Sequence, residues 1–160
     1  MADTLSPNSR SALMSKIRGK DTGLERRVRT ALHVAGFRFR LHDAKLPGTP
    51  DIVLRRHGAV VEVRGCFWHY HDVERCPYTT VPKTNSDWWR AKLERNAQRD
   101  ERNELALRTA GWRVFVVWQC ECRTAEKFSR TIRELTTSLR RPSVQLSGPP
   151  PASGTSEPAT

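Results

Sequence analysis

The stretch PDIVLRRHGAVVEVR, residues 50–64, decides the fold. Its β-branched and apolar runs predict two strands, and the short turn that contains Gly58 joins them into a hairpin. On adjacent strands Asp51 and Glu62 can approach closely, and the alternation of side chains along a strand places Glu62 and Arg64 on one face. The hairpin is therefore predicted to gather two carboxylates and one cation.

This combination suits the hydrolysis of a phosphate ester. Carboxylate oxygens are the ligands that Mg²⁺ prefers, and a basic group can act near the attacking water or the phosphoryl oxygen. Pro-Asp followed by (Asp/Glu)-x-Lys is the sparse pattern of many nucleases, and Arg64 stands in the place of the lysine. Acidic strand ends are common without such a site, so the pattern alone leaves a purely structural interpretation open.

Just before the hairpin, the sequence predicts a helix and a strand. Thr22 and Glu25 form a capping box, and apolar residues follow at helical spacing until Gly36 ends the helix. The alternation FRFRL at residues 37–41 predicts a half-buried strand.

After the hairpin, the pattern predicts a long charged helix at about 87–110, a strand at 112–118 and a helix at about 125–139. Asn85 or Ser86 can cap the long helix. Its expected buried residues are Leu93, Ala97, Leu105 and one of Trp88 and Trp89. The order of elements predicts an α/β fold, with a mixed sheet that has helices on both faces.

Cysteine and histidine residues cluster in the loop GCFWHYHDVERC, residues 65–76. Cys66, His71 and Cys76 are residue types that ligate zinc. Cys120 follows the last predicted strand and is the better fourth ligand, with Cys122 as its rival. A closed Cys₃His shell would be structural, and buried free thiols are the alternative.

Aromatic residues are concentrated in the same loop and at the start of the long helix. Phe67 and Trp68 are adjacent, so on an extended loop they cannot both point into the core. Together with Trp88 and Trp89 they predict an apolar wedge that opens a DNA duplex, unless they are simply core residues. His69 could then transfer a proton near the opened step.

The charge balance favours a nucleic acid as the partner. Lys and Arg number 28 and Asp and Glu 17, which gives a formal net charge of +11. Such a surplus favours a polyanion, although a soluble basic protein without this role is the plain alternative. The N-terminus lacks the features of a secretion signal and no stretch reaches spanning length, so we expect a cytoplasmic protein with reduced cysteines.

The chain is interpreted as one globular domain with two extensions. Residues 1–19 are expected to form a basic DNA-clamping segment, with a short helix at 9–18 that carries Met14. Residues 20–140 form the predicted nuclease domain. Residues 141–160 are rich in proline and are expected to be a disordered tail.

Five stretches together carry a family resemblance: MSKIRGKDT (14–22), LPGTPDIV (46–53), GCFWHYH (65–71), VPKTNSDWWRAKLERNAQRD (81–100) and GWRVFVVW (111–118). In this order they resemble the very short patch repair endonucleases. The resemblance implies a restriction-endonuclease-like fold of the PD-(D/E)xK superfamily. It also implies a Mg²⁺-dependent enzyme that nicks DNA on the 5′ side of the thymine in a T:G mismatch, which arises when 5-methylcytosine is deaminated.

The resemblance also implies roles for individual residues. Asp51 and the backbone carbonyl of Val63 would hold Mg²⁺, His69 would be the catalytic histidine, and Glu25 would act through metal-bound water. The implied zinc ligands are Cys66, His71, Cys76 and Cys120. The implied DNA contacts are Phe67, Trp68 and Trp89 from the major groove and Met14 from the minor groove. The basic residues Lys16, Arg18 and Lys20 are expected to bind DNA because of their charge.

Two positions depart from the family pattern. Arg64 stands where His or Asp is common, and Glu62 where an apolar residue is usual. Arg64 cannot shuttle a proton near neutrality, so it could only stabilise phosphate charge, whereas Glu62 could be a second metal carboxylate. Two further hypotheses therefore stay open: a restriction-like or mobile-element nuclease, and a zinc-stabilised DNA-binding module without catalysis. Double-stranded DNA is the expected partner of a monomer, and mismatch-repair proteins and a repair polymerase are candidate partners.

Overall fold

A computed structural model describes residues 21–71 and 74–142. The predicted clamping segment, with Met14, Lys16 and Arg18, lies outside the described residues, as do Lys20 and the proline-rich tail from residue 143 onward. No helix of the described part has both the length and the apolar character needed to cross a bilayer.

Four strands and three α-helices build the described chain. In chain order they are α1 (Gly23–Val34), β1 (Arg40–Leu41), β2 (Ile52–Leu54), β3 (Ala59–Arg64), α2 (Ser86–Thr109), β4 (Arg113–Trp118) and α3 (Ala125–Arg140). The strands form one sheet in the order β1-β2-β3-β4, with two antiparallel pairings followed by the parallel pairing of β3 with β4. A parallel pair needs a long crossover, which the aromatic loop and α2 supply.

Helices pack on both faces of this sheet. On one face, α1 and α3 contribute Val28, Leu32, Leu135 and Leu139 to a core that also contains Ile52, Leu54 and Val61. On the other face, Leu107 of α2 packs with Val53, Val60 and Val114. Because successive strand residues point to opposite faces, Ile52, Val53 and Leu54 are all buried although they serve two cores. The predicted α/β fold with a mixed, helix-flanked sheet is confirmed.

The hairpin and the capping box form as predicted. Ile52 pairs with Val61 across β2 and β3. The Thr22 side chain accepts a hydrogen bond from the Glu25 N–H, and the Glu25 side chain accepts one from the Thr22 N–H.

The predicted strand at 37–41 is wrong in its first half, because only Arg40 and Leu41 pair with β2. The Phe37 N–H donates to the Leu32 carbonyl at 3.0 Å, so this residue closes the end of α1 instead of starting a strand.

The long helix also differs from the prediction in its buried face. Leu105 is 65% exposed, whereas Leu107 is fully buried. At about 100° per residue, Leu107 returns to within roughly 40° of Leu93, whereas Leu105 lies about 120° away. Asn85 precedes the helix in a left-handed conformation and makes no capping hydrogen bond with its side chain.

Candidate active site and metal centre

The predicted catalytic residues line one cavity between the hairpin, the first turn of α1 and the middle of α2. Its volume is about 440 Å³. Its lining includes all six residues predicted for the catalytic site, Glu25, Asp51, Glu62, Val63, Arg64 and His69. It also includes His42 and Asp100, which the sequence did not single out.

Asp51 stands directly before β2 and has two differently engaged oxygens. Its Oδ2 accepts the Val63 N–H at 2.8 Å, and its Oδ1 lies 3.8 Å from Nδ1 of His42. Burial raises the pKa of the Asp51 carboxyl above its ordinary value, although the hydrogen bond from Val63 partly offsets this. One carboxylate oxygen is therefore fixed by the backbone, while the other remains available to a ligand.

Glu25 is almost completely buried, and α1 itself holds its carboxylate. Its oxygens accept the backbone N–H groups of Asp21 and Thr22 and the guanidinium of Arg29. Arg29 follows at i+4, a spacing from which the sequence could have predicted the pair. These bonds fix the carboxylate at the edge of the cavity.

Glu62 and Arg64 pair with each other on the same face of β3, as the strand period predicts. Arg64 Nε donates to Glu62 Oε2 at 2.8 Å, and a terminal nitrogen of Arg64 also bonds to this oxygen. Glu104 of α2 lies 3.6 Å from the same guanidinium, which is itself largely buried. Glu62, the possible second metal ligand, is thus already paired with the guanidinium of Arg64.

His69 forms a dyad with Asp100 of α2. His69 Nδ1 lies 2.6 Å from Asp100 Oδ2, and Arg99 donates to the other oxygen at 3.1 Å. Burial tends to raise the pKa of Asp100, but the hydrogen bonds and charges of His69 and Arg99 together outweigh burial and lower this pKa. A carboxylate that holds Nδ1 orients the ring and leaves Nε2 for proton transfer. Asp100 is one acid within a charged helix, so its spacing gave no signal.

The predicted wedge residues pack against one another beside the cavity. The ring centroid of Phe67 lies 5.0 Å from that of Trp68 and 5.4 Å from that of Trp89. Trp89 is buried and Trp88 is 48% exposed, so Trp89 is the one of these two tryptophans that the long helix buries. Lys92 Nζ lies 4.9 Å from the Trp88 ring centroid, so a cation caps the aromatic group.

Cys66, His71, Cys76 and Cys120 meet in a separate cluster, with donor atoms within 4.8 Å of one another. Arg64 and Trp118 pair at the ends of β3 and β4, and Cys66 and Cys120 each follow two residues later. Parallel strands end at the same edge of a sheet, which brings the two thiols together. Cys122, the rival candidate, is instead buried in the core.

The local contacts of this cluster favour metal binding. The Cys120 N–H donates to Cys66 Sγ at 3.4 Å, and the His71 ring stacks on Trp118 at 3.9 Å. Burial opposes ionisation of Cys76, but hydrogen bonds with Tyr78, Thr79, His71 and Cys66 together lower its pKa to about 7, whereas burial raises the pKa of Cys66 and of Cys120. Three thiols and one imidazole are the ligand set of a closed, tetrahedral zinc site.

Comparison with known proteins adds an independent finding. Residues 2–75 match the family described as DNA mismatch endonuclease Vsr. The chain is 51% identical over 121 residues to the type II nicking enzyme V.XorIIP of Xanthomonas oryzae pv. oryzae, covering 76% of this chain and 87% of that protein. It is 40% identical over 129 residues to the DNA mismatch endonuclease Vsr of Escherichia coli, covering 81% of each. The type II nicking enzyme V.NmeAIP of Neisseria meningitidis is 40% identical over 139 residues, which cover 84% of this chain and 97% of that protein.

Proposed function

Because this chain belongs to the Vsr family of DNA mismatch endonucleases, we propose that it nicks one DNA strand on the 5′ side of the thymine in a T:G mismatch. The observation that carries this proposal is one cavity lined by both Asp51 and the His69–Asp100 dyad. A carboxylate that can hold a metal ion and an oriented imidazole that can transfer a proton are together able to hydrolyse a phosphodiester.

Asp51 and the backbone carbonyl of Val63 would hold the catalytic Mg²⁺. Both are oxygen donors, and Asp51 Oδ1 is not taken by the Val63 N–H that fixes Oδ2. Bound there, Mg²⁺ would polarise the scissile phosphate and lower the pKa of water.

The other lining residues would act around this pair. His69, oriented by Asp100, would transfer the proton at Nε2, and Glu25 would contact metal-bound water. Arg64, kept in place by Glu62, would stabilise charge on the phosphate, and Glu62 would thereby support the site without being a metal ligand.

The aromatic group would recognise the mismatch. Phe67 and Trp68 are only partly buried and directly precede His69 of the cavity, so they can enter a base step, while the buried Trp89 packs against Phe67. Met14 would approach from the minor groove, and Lys16, Arg18 and Lys20 would contact the backbone. Residues 20–140 would form the nuclease domain and residues 1–19 the clamp.

Cys66, His71, Cys76 and Cys120 would bind one structural zinc ion. Their soft donors converge without an open position for a reactant, which separates this site from the catalytic one. The reduced thiols that zinc requires fit a cytoplasmic enzyme that acts on cellular DNA.

The test is nicking of a duplex with a single T:G pair, labelled on each strand in turn, with Mg²⁺ present. We expect one product, cut 5′ to the thymine, which Asp51→Ala abolishes and the exposed control Glu101→Ala does not. Equal cutting of the matched duplex would reject mismatch specificity. Double-strand cleavage at a matched site would favour a restriction-like nuclease. Tight binding without cleavage in Mg²⁺, Mn²⁺ or Co²⁺ would favour a binding module.

A further inference from the structure

Arg29 occupies the centre of a polar cluster behind the cavity. Its NH2 group lies 2.9 Å from both Glu25 Oε2 and His42 Nε2, and its NH1 group donates to Asp21. One possible metal-ligand atom from each of Asp21, Glu25 and His42 lies within 4.8 Å of the other two. The guanidinium already supplies the positive charge at this position, so the cluster is built around an internal cation.

This contact decides which nitrogen of His42 carries the proton. A guanidinium has only N–H donors, so Nε2 of His42 must accept through its lone pair. The proton of the neutral ring is then on Nδ1. Nδ1 is buried and, within the described residues, has no hydrogen-bond partner.

The Nδ1–H group faces the oxygen of Asp51 that the backbone does not hold. The distance from Nδ1 to Asp51 Oδ1 is 3.8 Å, which is too long for a direct hydrogen bond and is the range in which a small movement or one water connects two groups. The backbone also holds His42 beside Asp51, because the His42 N–H donates to the Asp51 carbonyl at 3.4 Å. His42 also has a left-handed φ of 47°, which ends β1 and turns the chain at this point.

We propose that His42 is a positioning residue for the metal carboxylate, with its Nδ1–H fixed by Arg29 and directed at Asp51 Oδ1. Val63 and His42 then hold the carboxylate from both oxygens, and Oδ1 keeps a second lone pair for a divalent cation. This proposal rests on the proposed function, in which Asp51 is the metal ligand. It assigns to Arg29 and His42 a role that neither the charge pattern nor the helix spacing indicated.

The test is Mn²⁺ binding to the full chain, measured by electron paramagnetic resonance, in parallel with nicking at saturating Mg²⁺. We expect His42→Leu to weaken Mn²⁺ binding by about 10- to 100-fold, the usual cost of losing a partner of a metal ligand. His42→Gln keeps an N–H donor of similar reach and should retain most of the affinity. His33→Leu, the same change at an exposed histidine of α1, should have no effect.

A second pair of variants tests the part played by Arg29. Arg29→Gln should weaken Mn²⁺ binding when residue 42 is His, because the proton can then move to Nε2. In the His42→Gln background, Arg29→Gln should weaken Mn²⁺ binding less, since the N–H group of an amide does not depend on a tautomer. If His42→Leu fails to fold, as judged by thermal unfolding, this cycle carries the test alone.

The outcomes separate the two proposals. Parental Mn²⁺ affinity in folded His42→Leu, or equal effects of Arg29→Gln in both backgrounds, would overturn the role of His42 while leaving the nuclease assignment intact. Parental Mn²⁺ affinity in Asp51→Asn would overturn the metal site itself.

Discussion

The two candidate metal sites lie on either side of Gly65 and are built in opposite ways. In the thiol cluster, four donors from residues 66–120 turn toward one another within 4.8 Å. In the acidic cavity, Asp51 is surrounded by an open volume of about 440 Å³, and its neighbours are held mainly by arginines and the backbone. A closed set of donors suits a structural ion, and an open set leaves room for a substrate.

This contrast shows how one strand can serve stability and chemistry together. The last residues of β3 shape the cavity, and the first residues after it enter the thiol cluster. His69 lies in the chain between Cys66 and His71, two members of the cluster, and its ring contacts Asp100 at the cavity.

Disruption of the thiol cluster should produce the largest loss of stability. Cys66→Ser is expected to lower the free energy of unfolding by more than about 5 kcal/mol, because structural zinc supplies on the order of 10 kcal/mol in small zinc domains. Zinc content by mass spectrometry and urea unfolding measure the change. Cys122→Ala, a core thiol outside the cluster, should keep one zinc per chain. A zinc-free protein with an unchanged unfolding midpoint would contradict the closed-site interpretation.

Disruption of the arginine pairs in the cavity should produce a smaller loss of stability. Arg64→Met leaves Glu62 without its buried partner, and we expect a cost of about 3 kcal/mol in urea unfolding. The control is Arg55→Met, which breaks a pair with Asp43 in which the arginine is about half exposed, and it should cost less than about 1 kcal/mol. Equal losses in the two variants would show that the Glu62–Arg64 pair is solvated.

The smallest effect on stability should come from the dyad, which acts mainly on catalysis. Asp100→Asn should lower the nicking rate by about 10- to 100-fold, because the His69 ring loses its orienting carboxylate. Glu101→Gln, the neighbouring exposed acid, is the control. A parental nicking rate for Asp100→Asn would remove Asp100 from the site.

The same variant has a defined pH signature. The pKa of Asp100 in the folded chain is lowered from 3.8, so its contribution to stability is complete above that value and is lost as the pH falls through the folded pKa. The difference in free energy of unfolding between the parent and Asp100→Asn should therefore shrink below about pH 4. A difference that grows on acidification would contradict this assignment.

The parts of the fold that local patterns specify were predictable. The hairpin follows from two apolar runs around Gly58, and the start of α1 follows from the reciprocal bonds of Thr22 and Glu25. One failure arises where one residue has two local options. Phe37 satisfies its backbone by closing α1. The expectation of a buried Leu105 misread the helical phase, because Leu107 is the leucine that shares a face with Leu93.

The site was predictable to the extent that its residues are contiguous in motifs. Asp51, Cys66 and His69 stand in short, distinctive stretches, whereas His42 stands in none of them and Asp100 is only the last residue of the longest. The sequence favoured Cys120 over Cys122 but left Cys122 open, because the short 3-10 turn at Gln119–Cys122 that directs Cys122 into the core is not apparent from the sequence.

The parallel pairing of β3 with β4 has a consequence for biosynthesis. Val60 pairs with Val114, and the same 54-residue separation joins Cys66 to Cys120. A ribosome must therefore release the chain beyond residue 120 before the sheet gains its last strand and the cluster its fourth donor. Until then three of the four donors are outside the ribosome without the fourth, so the complete donor set forms only after the last strand has been made.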